Sequence, residues 1–256
     1  MDPNFLGVPD VSAQLFGLLS LAAVLTTLIG ILTGSAGGLA LLAVMAMFFP
    51  PVVLVPIHTF VQLGVGSSRT LLMWRHVMKG TLIPFLIGAV IGALLGAQFF
   101  INLPTALLQG LMGIMIIILT WLPNITVVGT IGWRFLGVGF GATFIGMFVS
   151  ATGTIVSTFL AGSSRNRQNH ASTLGALMAL SHLVKLMAFG VLGVSLSEYL
   201  PLILAMIFCA FFGNYIGRYF LNKMPERWFR IIFKLFMTAL AIRLLFVAGS
   251  EYLVGV

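Results

Sequence analysis

Long apolar segments separated by short polar connections dominate this chain. Ten of them follow one another, at residues 11–32, 35–49, 56–73, 81–101, 105–122, 131–150, 151–162, 171–190, 200–221 and 229–248. Most have the roughly 20 apolar residues that an α-helix needs to cross a hydrocarbon core about 30 Å thick. We therefore predict an all-α polytopic membrane protein, with residues 1–256 in a single transmembrane domain.

Two of the segments are too short to cross a membrane as straight helices. The segment 151–162 spans about 18 Å at a rise of 1.5 Å per residue, and 35–49 ends at Pro50-Pro51. Short segments interrupted by glycine or proline, at matching places in two halves of a chain, are typical of broken helices at a transporter's binding site. We predict broken or re-entrant helices at both places, with their irregular turns close together near the middle of the membrane.

Glycines and cations recur at two constant offsets along the chain. At an offset of 116 (146 − 30), the matching pairs are Gly30 with Gly146, Gly37 with Gly153, and Arg69 with Lys185. At an offset of 121 (213 − 92), they are Gly92 with Gly213, Gly96 with Gly217, and Pro104 with Pro225. A loop between the two blocks can absorb the difference. The pattern predicts a duplicated unit, with repeat one at 11–122 and repeat two at 131–248.

The charges of equivalent loops have opposite signs in the two repeats. The loop near 74–80 carries Arg75 and Lys79, whereas its counterpart near 191–199 carries only Glu198. Loops rich in Lys and Arg face the cytoplasm. The two repeats are therefore predicted to have inverted topology, with both termini on the non-cytoplasmic side.

The composition excludes an ordinary soluble domain. Hydrophobic residues make up 60% of the chain and charged residues 7%, against about 45–50% and 25% in soluble domains. The net charge of +8 is explained by basic cytoplasmic loops, so no nucleic acid is expected as a partner. The sequence contains no nucleophile–base pair and no cofactor loop, so we expect neither an enzyme nor a cofactor. Its single cysteine, Cys209, excludes an intrachain disulfide.

Cations lie inside the predicted segments, but no Asp or Glu does. A charged side chain in the bilayer costs several kcal/mol unless it finds a partner or reaches the interface. Lys185 lies well inside its segment, and we interpret it, with its repeat mate Arg69, as a binding residue for a small anion. The guanidinium of Arg69 offers a fork of donors suited to oxyanions, while a lysine acts as a point charge. Lys234 and Arg243 are interpreted as residues that reach the interface.

Clusters of small residues accompany the two short segments. They are Gly34-Ser35-Ala36-Gly37-Gly38 and Ser150-Ala151-Thr152-Gly153-Thr154. Glycine and hydroxyl residues between two helical pieces leave backbone N–H groups and helix N-termini available, and both bind anions. The alternative is close helix packing through small residues. The run Gly88-x-x-x-Gly92-x-x-x-Gly96 is interpreted as packing alone.

Three histidines, His58, His170 and His182, lie at or in predicted segments. Their spacing contains no i,i+4 pair and no metal-binding signature. Hydrogen bonding to an anion or proton exchange is the favoured role, because imidazole titrates near neutral pH.

These residues, in this order, resemble the TauE/SafE sulfite exporter family, also called the domain-of-unknown-function 81 permeases. The resemblance covers about 15–245. It is carried by Gly34-x-x-Gly37-Gly38, by His58-Thr59 through Gln62 to Arg69 and Arg75-His76, by Gly88/Gly92/Gly96, and by Ser181-His182-x-x-Lys185. Leu39 replaces the usual third glycine, and Thr152-Gly153-Thr154 stands where members often have a glycine pair. The resemblance implies export of sulfite or small organosulfonates across the bacterial inner membrane.

The leading hypothesis is a transporter that exports a small sulfur-containing oxyanion or organosulfonate through a central site between two inverted repeats. The candidate substrate-binding residues are Arg69, Lys185, Gly37, Gly38, His58, Thr59, Gln62, Thr152, Gly153, Thr154, His170 and His182. Two alternatives stay open: a metal-ion permease that uses the histidines, and a membrane-embedded assembly factor without transport activity. The expected partners are a small anion and the lipid bilayer, with a homodimer left open.

Overall fold

The computed structural model of the protein describes residues 4–33, 36–100, 103–121, 131–150 and 152–221, together with 234–235, 238–239, 241–243 and 245–249. Within these residues the chain forms α-helices joined by short turns, and no strand is found among them. The helices are α1 (Ala13–Thr33), α2 (Ala36–Met45), α3 (Pro51–Leu72), α4 (Leu82–Phe100), α5 (Thr105–Trp121), α6 (Ile131–Val149), α7 (Gly153–Ala161), α8 (Arg167–Val191) and α9 (Leu200–Phe220).

Five helical segments of the described residues are long and apolar enough to cross a membrane. They are Ala13–Thr33, Pro51–Leu72, Lys79–Phe100, Arg167–Val191 and Ser197–Phe220. Large apolar side chains point outward from them, such as Leu94 and Phe208, which are 61% and 65% exposed. A surface of this kind is stable in lipid and not in water. The prediction of an all-α polytopic membrane protein is confirmed.

The two short helices that the sequence predicts are present as α2 and α7. With 10 and 9 residues, they reach about 15 and 14 Å at 1.5 Å per residue. Two residues separate the end of α1 from the start of α2, and three separate the end of α6 from Gly153. Between α6 and α7, Ser150 has a φ of 60°, which no helix interior allows. Gly34, Ser35 and Ala151, at the breaks, lie outside the described residues.

Two segment boundaries predicted from the sequence are wrong. Helix α3 begins at Pro51, not at residue 56, because a proline in the first turn of a helix lacks only an N–H that has no partner there. Pro50-Pro51 therefore follows the predicted segment 35–49 and also begins α3. Helix α8 begins at Arg167, not at residue 171, because the side chain of Asn166 caps it by accepting a hydrogen bond from the Asn169 N–H at 2.8 Å. Of the predicted segment 229–248, the structure describes 234–235, 238–239, 241–243 and 245–248, and these residues are helical.

Glycines bring two pairs of helices into backbone contact. Helix α4 packs on α6, where a Cβ atom on Gly88 or Gly92 would overlap the carbonyl oxygen of Leu136 or Phe140. Helix α9 packs on α1, where a Cβ on Gly213 would lie 2.5 Å from the Val24 carbonyl oxygen. These contacts confirm the packing role predicted for the glycine run of α4.

The helix pairs follow the order expected of a duplicated chain. Helices α3 and α8 cross at the centre, α4 packs on α6 and α8, and α9 packs on α1 and α3. If α1, α2, α3 and α4 are exchanged with α6, α7, α8 and α9 in that order, each of these helix pairs becomes another pair of the same set. The inverted duplication itself stays a prediction.

Loops of opposite charge lie at opposite ends of the bundle. At one end, Asn169 Nδ2 donates to the His76 carbonyl at 2.8 Å and Arg167 donates to the Leu221 carbonyl at 3.0 Å. This end therefore gathers the basic loop before α4, the start of α8 and the end of α9. At the other end, the ring of Phe49 packs edge-on against Tyr199. The carboxylate of Glu198 is exposed beside this aromatic pair.

Candidate functional site

A cavity of about 530 Å³, including its open mouth, lies at the centre of the bundle. Its walls come from the end of α1, the start of α2, α3, the α6–α7 break and α8. The polar and small residues that line it are Thr26, Thr27, Gly30, Gly37, Gly38, His58, Gln62, Gly66, Arg69, Ser150, Gly153, Gly175 and His182, and the apolar ones are Leu39, Val65, Leu174 and Met178. Both broken helices therefore contribute to one cavity.

Arg69 supplies the positive charge of the cavity wall. Its side chain is 6% exposed, and its Nε–H donates to Asn214 Oδ1 at 3.2 Å. The amide of Asn214 is itself fixed, because its nitrogen donates to the Val65 carbonyl at 2.9 Å and to the Ser68 hydroxyl at 2.8 Å. Helix α9 thus holds the guanidinium by its Nε edge, and Arg69 lines the cavity while its terminal nitrogens have no hydrogen-bond partner among the described residues.

Glycine makes room for the Arg69 guanidinium. A Cβ on Gly30 would lie 3.2 Å from one terminal nitrogen of Arg69 and 3.0 Å from the Cα of Gly37. A Cβ on Gly37 would overlap the Thr26 carbonyl oxygen and lie 2.6 Å from the Cα of Gly30. The α1–α2 hairpin therefore closes backbone against backbone beside the guanidinium.

Lys185 lies behind the cavity wall instead of lining it. It is completely buried, and its Nζ donates to the carbonyl oxygens of Gly146 and Ser150, at 3.3 Å each. The Gly146 carbonyl also accepts from the Ser150 N–H at 2.9 Å, and Ser150 directly follows the last residue of α6. Lys185 therefore binds the backbone at the point where α6 ends. Arg69 and Lys185, the predicted repeat mates, therefore lie against Gly30 and Gly146 respectively, but of the two only Arg69 lines the cavity.

Ser150 connects the two halves of the bundle. Its hydroxyl lies 2.9 Å from His58 Nδ1 and 2.8 Å from the Thr59 hydroxyl. His58 Nε2 lies 2.9 Å from the Gly38 carbonyl oxygen, and because a carbonyl can only accept, the imidazole proton is on Nε2. Nδ1 therefore accepts from Ser150, whose oxygen in turn accepts from Thr59. The amide nitrogen of Gln62 lies 3.2 Å from the same His58 Nε2, but because both are then donors, this contact is not a hydrogen bond. Gln62 lines the cavity.

Several buried polar atoms near the cavity have no partner among the described residues. They are His182 Nδ1, Thr152 Oγ1 and Thr154 Oγ1. His182 is 1% exposed and lines the cavity. A buried polar group without a hydrogen bond is unfavourable unless a ligand or water supplies one. These atoms are therefore suited to a polar substrate or to ordered water.

His170 is a predicted site residue that does not line the central cavity. Its Nε2 is 2.8 Å from the Ser157 hydroxyl, and it borders a second cavity, of about 380 Å³, that Arg167 and Thr33 also line. This second cavity is at the basic end of the bundle. The structure thus brings Arg69, Gly37, Gly38, His58, Gln62, Gly153 and His182 together, places Lys185, Thr59 and Thr152 directly behind them, and places His170 at the second cavity.

Comparison with known families decides the identity of the chain. The family model described as sulfite exporter TauE/SafE matches residues 19–244. The chain belongs to the TauE/SafE family. Searches of curated proteins and of solved structures found no match. This family is a family of membrane transporters, as the sequence resemblance implies.

The TauE/SafE cavity depends on residues that the sequence reasoning missed. Ser150 was assigned only to a small-residue cluster, and its left-handed backbone cannot be read from residue type. Asn214 lies next to Gly213 and is the one amide side chain of the segment 200–221, and this isolated amide is the available signal. No group of three His, Cys, Asp or Glu residues that could hold a metal ion occurs in the part of the chain that the structure describes.

Proposed function

We propose that the protein exports a small sulfur-containing oxyanion or organosulfonate across the bacterial inner membrane, through the central cavity. The observation that carries the proposal is that Arg69 lines the cavity, with Asn214 holding the Nε edge of its guanidinium and the terminal nitrogens left without a partner among the described residues. A planar fork of N–H donors matches two oxygens of a sulfite or sulfonate group.

The charge balance of the bundle supports an anionic substrate. Within the described ranges the carboxylates belong to Asp10 and Glu198, and both are exposed, whereas Arg69 and Lys185 are buried. A buried cation without a carboxylate is costly, and a bound anion would compensate it. The Nδ1 of His182 and the hydroxyls of Thr152 and Thr154 would add neutral hydrogen bonds.

The membrane potential would favour movement of such an anion out of the cell. An inside-negative potential contributes about 2.3 kcal/mol per charge and 100 mV to anion export. No buried carboxylate is available among the described residues as a proton or sodium relay. Transport driven by the substrate gradient and the potential is therefore the proposed mode.

We further propose that the basic end of the bundle faces the cytoplasm and that both termini are non-cytoplasmic. The charges at that end, Arg75, Lys79 and Arg167, support this orientation. A reporter active only in the cytoplasm is expected to be active when inserted near Lys79 and silent when fused after Val256. The reverse pattern would contradict the orientation.

Transport by purified protein in proteoliposomes tests the function directly. Counterflow of sulfite, sulfate, thiosulfate and methanesulfonate is compared with that of a divalent metal ion, the substrate of the alternative hypothesis. Saturable movement of sulfite or methanesulfonate, absent from protein-free liposomes, is expected, and the metal ion is expected not to move. Metal movement without anion movement, or no movement of any solute, would overturn the proposal.

A further inference from the structure

A buried polar joint, made of His58, Thr59, Ser150 and Lys185, fastens α3 to the α6–α7 break. Thr59 and His58 hold the Ser150 hydroxyl at 2.8 and 2.9 Å. Lys185, on α8, holds the Ser150 carbonyl from the other side at 3.3 Å. Thr59, Ser150 and Lys185 are each 0% exposed, so water does not compete for these hydrogen bonds.

The joint holds Ser150 in an unfavourable backbone conformation. Its φ of 60° belongs to the left-handed region, which residues other than glycine rarely adopt unless their surroundings impose it. The surroundings here are the contacts of the joint, with Lys185 on the carbonyl and α3 on the hydroxyl. Loss of either partner would favour relaxation of the α6–α7 break.

The joint closes the cavity at the end opposite to Arg69. His58 and Arg69 are 11 residues apart on α3 (69 − 58), which places them about 16 Å apart along the helix. Beyond His58, towards the start of α3, Leu54 and Ile57 join a large buried apolar cluster with Val149 and Phe189. Beyond Arg69 lies a different and smaller apolar cluster, whose four buried members are Ile31, Met73, Ala171 and Leu221. The second cavity adjoins this smaller cluster.

We propose that Ser150 is a positioning residue of the transport cycle and that its joint with α3 has to open in each cycle. A solute that enters past Arg69 can leave at the other end only if α3 and the α6–α7 break separate there, since alternating access moves one group of helices against the other. Lys185 acts through Ser150 by keeping the break attached to α8. The inference rests on the proposed transport function.

The hydroxyl pair of the joint can be replaced by a disulfide. In a Cys209→Ala background, Thr59→Cys and Ser150→Cys place two sulfurs where the two oxygens are 2.8 Å apart, near disulfide geometry. Methanesulfonate is the probe, because sulfite itself cleaves disulfides. We expect oxidation to reduce methanesulfonate transport at least tenfold and a reductant to restore it. A joint that is merely structural would tolerate the bond.

A second buried hydroxyl pair provides a matched control. The hydroxyls of Thr143 on α6 and Ser181 on α8 lie 2.9 Å apart, and both residues are 0% exposed. Lys185 already ties α6 to α8, so these helices are expected to move together. The Thr143→Cys/Ser181→Cys disulfide should leave transport within about twofold of its reduced form. Full transport with the Thr59–Ser150 disulfide, or a block by both disulfides, would overturn the inference.

Thiol labelling decides the case if the reduced Thr59→Cys/Ser150→Cys pair is itself inactive. A single Ser150→Cys variant, buried in this state, is expected to react several-fold faster with a membrane-impermeant thiol reagent during methanesulfonate turnover than without it. Equal rates would overturn the inference. A parent protein that moves none of the screened anions overturns the proposed function instead, so the two failures are distinguishable.

Discussion

Replacement of Arg69 by methionine is expected to reduce anion transport by ten- to hundredfold or more. The change keeps most of the aliphatic stem and removes the fork of donors that faces the cavity. Loss of a hydrogen bond to a charged group costs about 1.5–3 kcal/mol, and each 1.4 kcal/mol is about a factor of ten. Initial rates in proteoliposomes over a range of sulfite concentrations measure the effect, which should include a higher KM.

Two further substitutions distinguish binding from general damage. Arg69→Lys keeps the charge but loses the fork geometry, so it should restore transport only in part. Arg243→Met removes an exposed cation of the last described segment and should transport like the parent. If Arg69→Met folds normally and transports sulfite at the parental rate, Arg69 does not bind the substrate.

Replacement of Gly37 by alanine is expected to abolish transport and to lower the melting temperature. The added Cβ would overlap the Thr26 carbonyl oxygen and lie 2.6 and 2.8 Å from the Cα and N atoms of Gly30. These are backbone atoms, which cannot move aside as a flexible side chain can, so the α1–α2 hairpin has to open. Overpacking at a buried site costs about 1–3 kcal/mol, and the opening displaces the wall next to Arg69. Thermal unfolding in detergent and sulfite counterflow measure the two effects.

Gly17→Ala is the matched control for this change. Gly17 lies on α1, like Gly30, but a Cβ there would have nothing within 4 Å. Alanine also has a higher helix propensity than glycine, so the variant should be at least as stable as the parent and fully active. A Gly37→Ala protein that matches it in melting temperature and transport would show that the hairpin does not depend on backbone contact.

The helical framework could be predicted because it depends on residue-by-residue hydrophobicity. Runs of apolar residues, two short segments and a glycine run identified most helices and the packing of α4. The start of α3 could not be placed, because Pro51 can follow one helix or begin the next, and only tertiary context decides which. The start of α8 was missed for a similar reason: the cap at Asn166 lies among polar residues that also suit a loop.

The candidate site was predictable as a set of residue types but not as an arrangement. Arg69 and Lys185 were recognised as unpaired cations, yet nothing in the sequence indicates that one lines a cavity while the other binds carbonyls behind its wall. That difference arises from a side-chain orientation and from the left-handed backbone of Ser150, which are both tertiary effects. Residue type groups His170 with the other histidines, whereas its position on α8 is four residues (174 − 170), just over one helix turn, before the first residue of α8 that lines the cavity, Leu174.

The glycine contacts between α4 and α6 and between α1 and α9 have a consequence for how the chain is made. Each of these helices finds its partner in the other half of the sequence: the face of α1 near Val24 packs against Gly213. During synthesis, that face enters the membrane almost 190 residues (213 − 24) before the helix that covers it. The first half therefore cannot complete its own packing. A chain truncated before α9 would leave the faces of α1 and α3 that pack on α9 without a partner, and membrane quality control could recognise them.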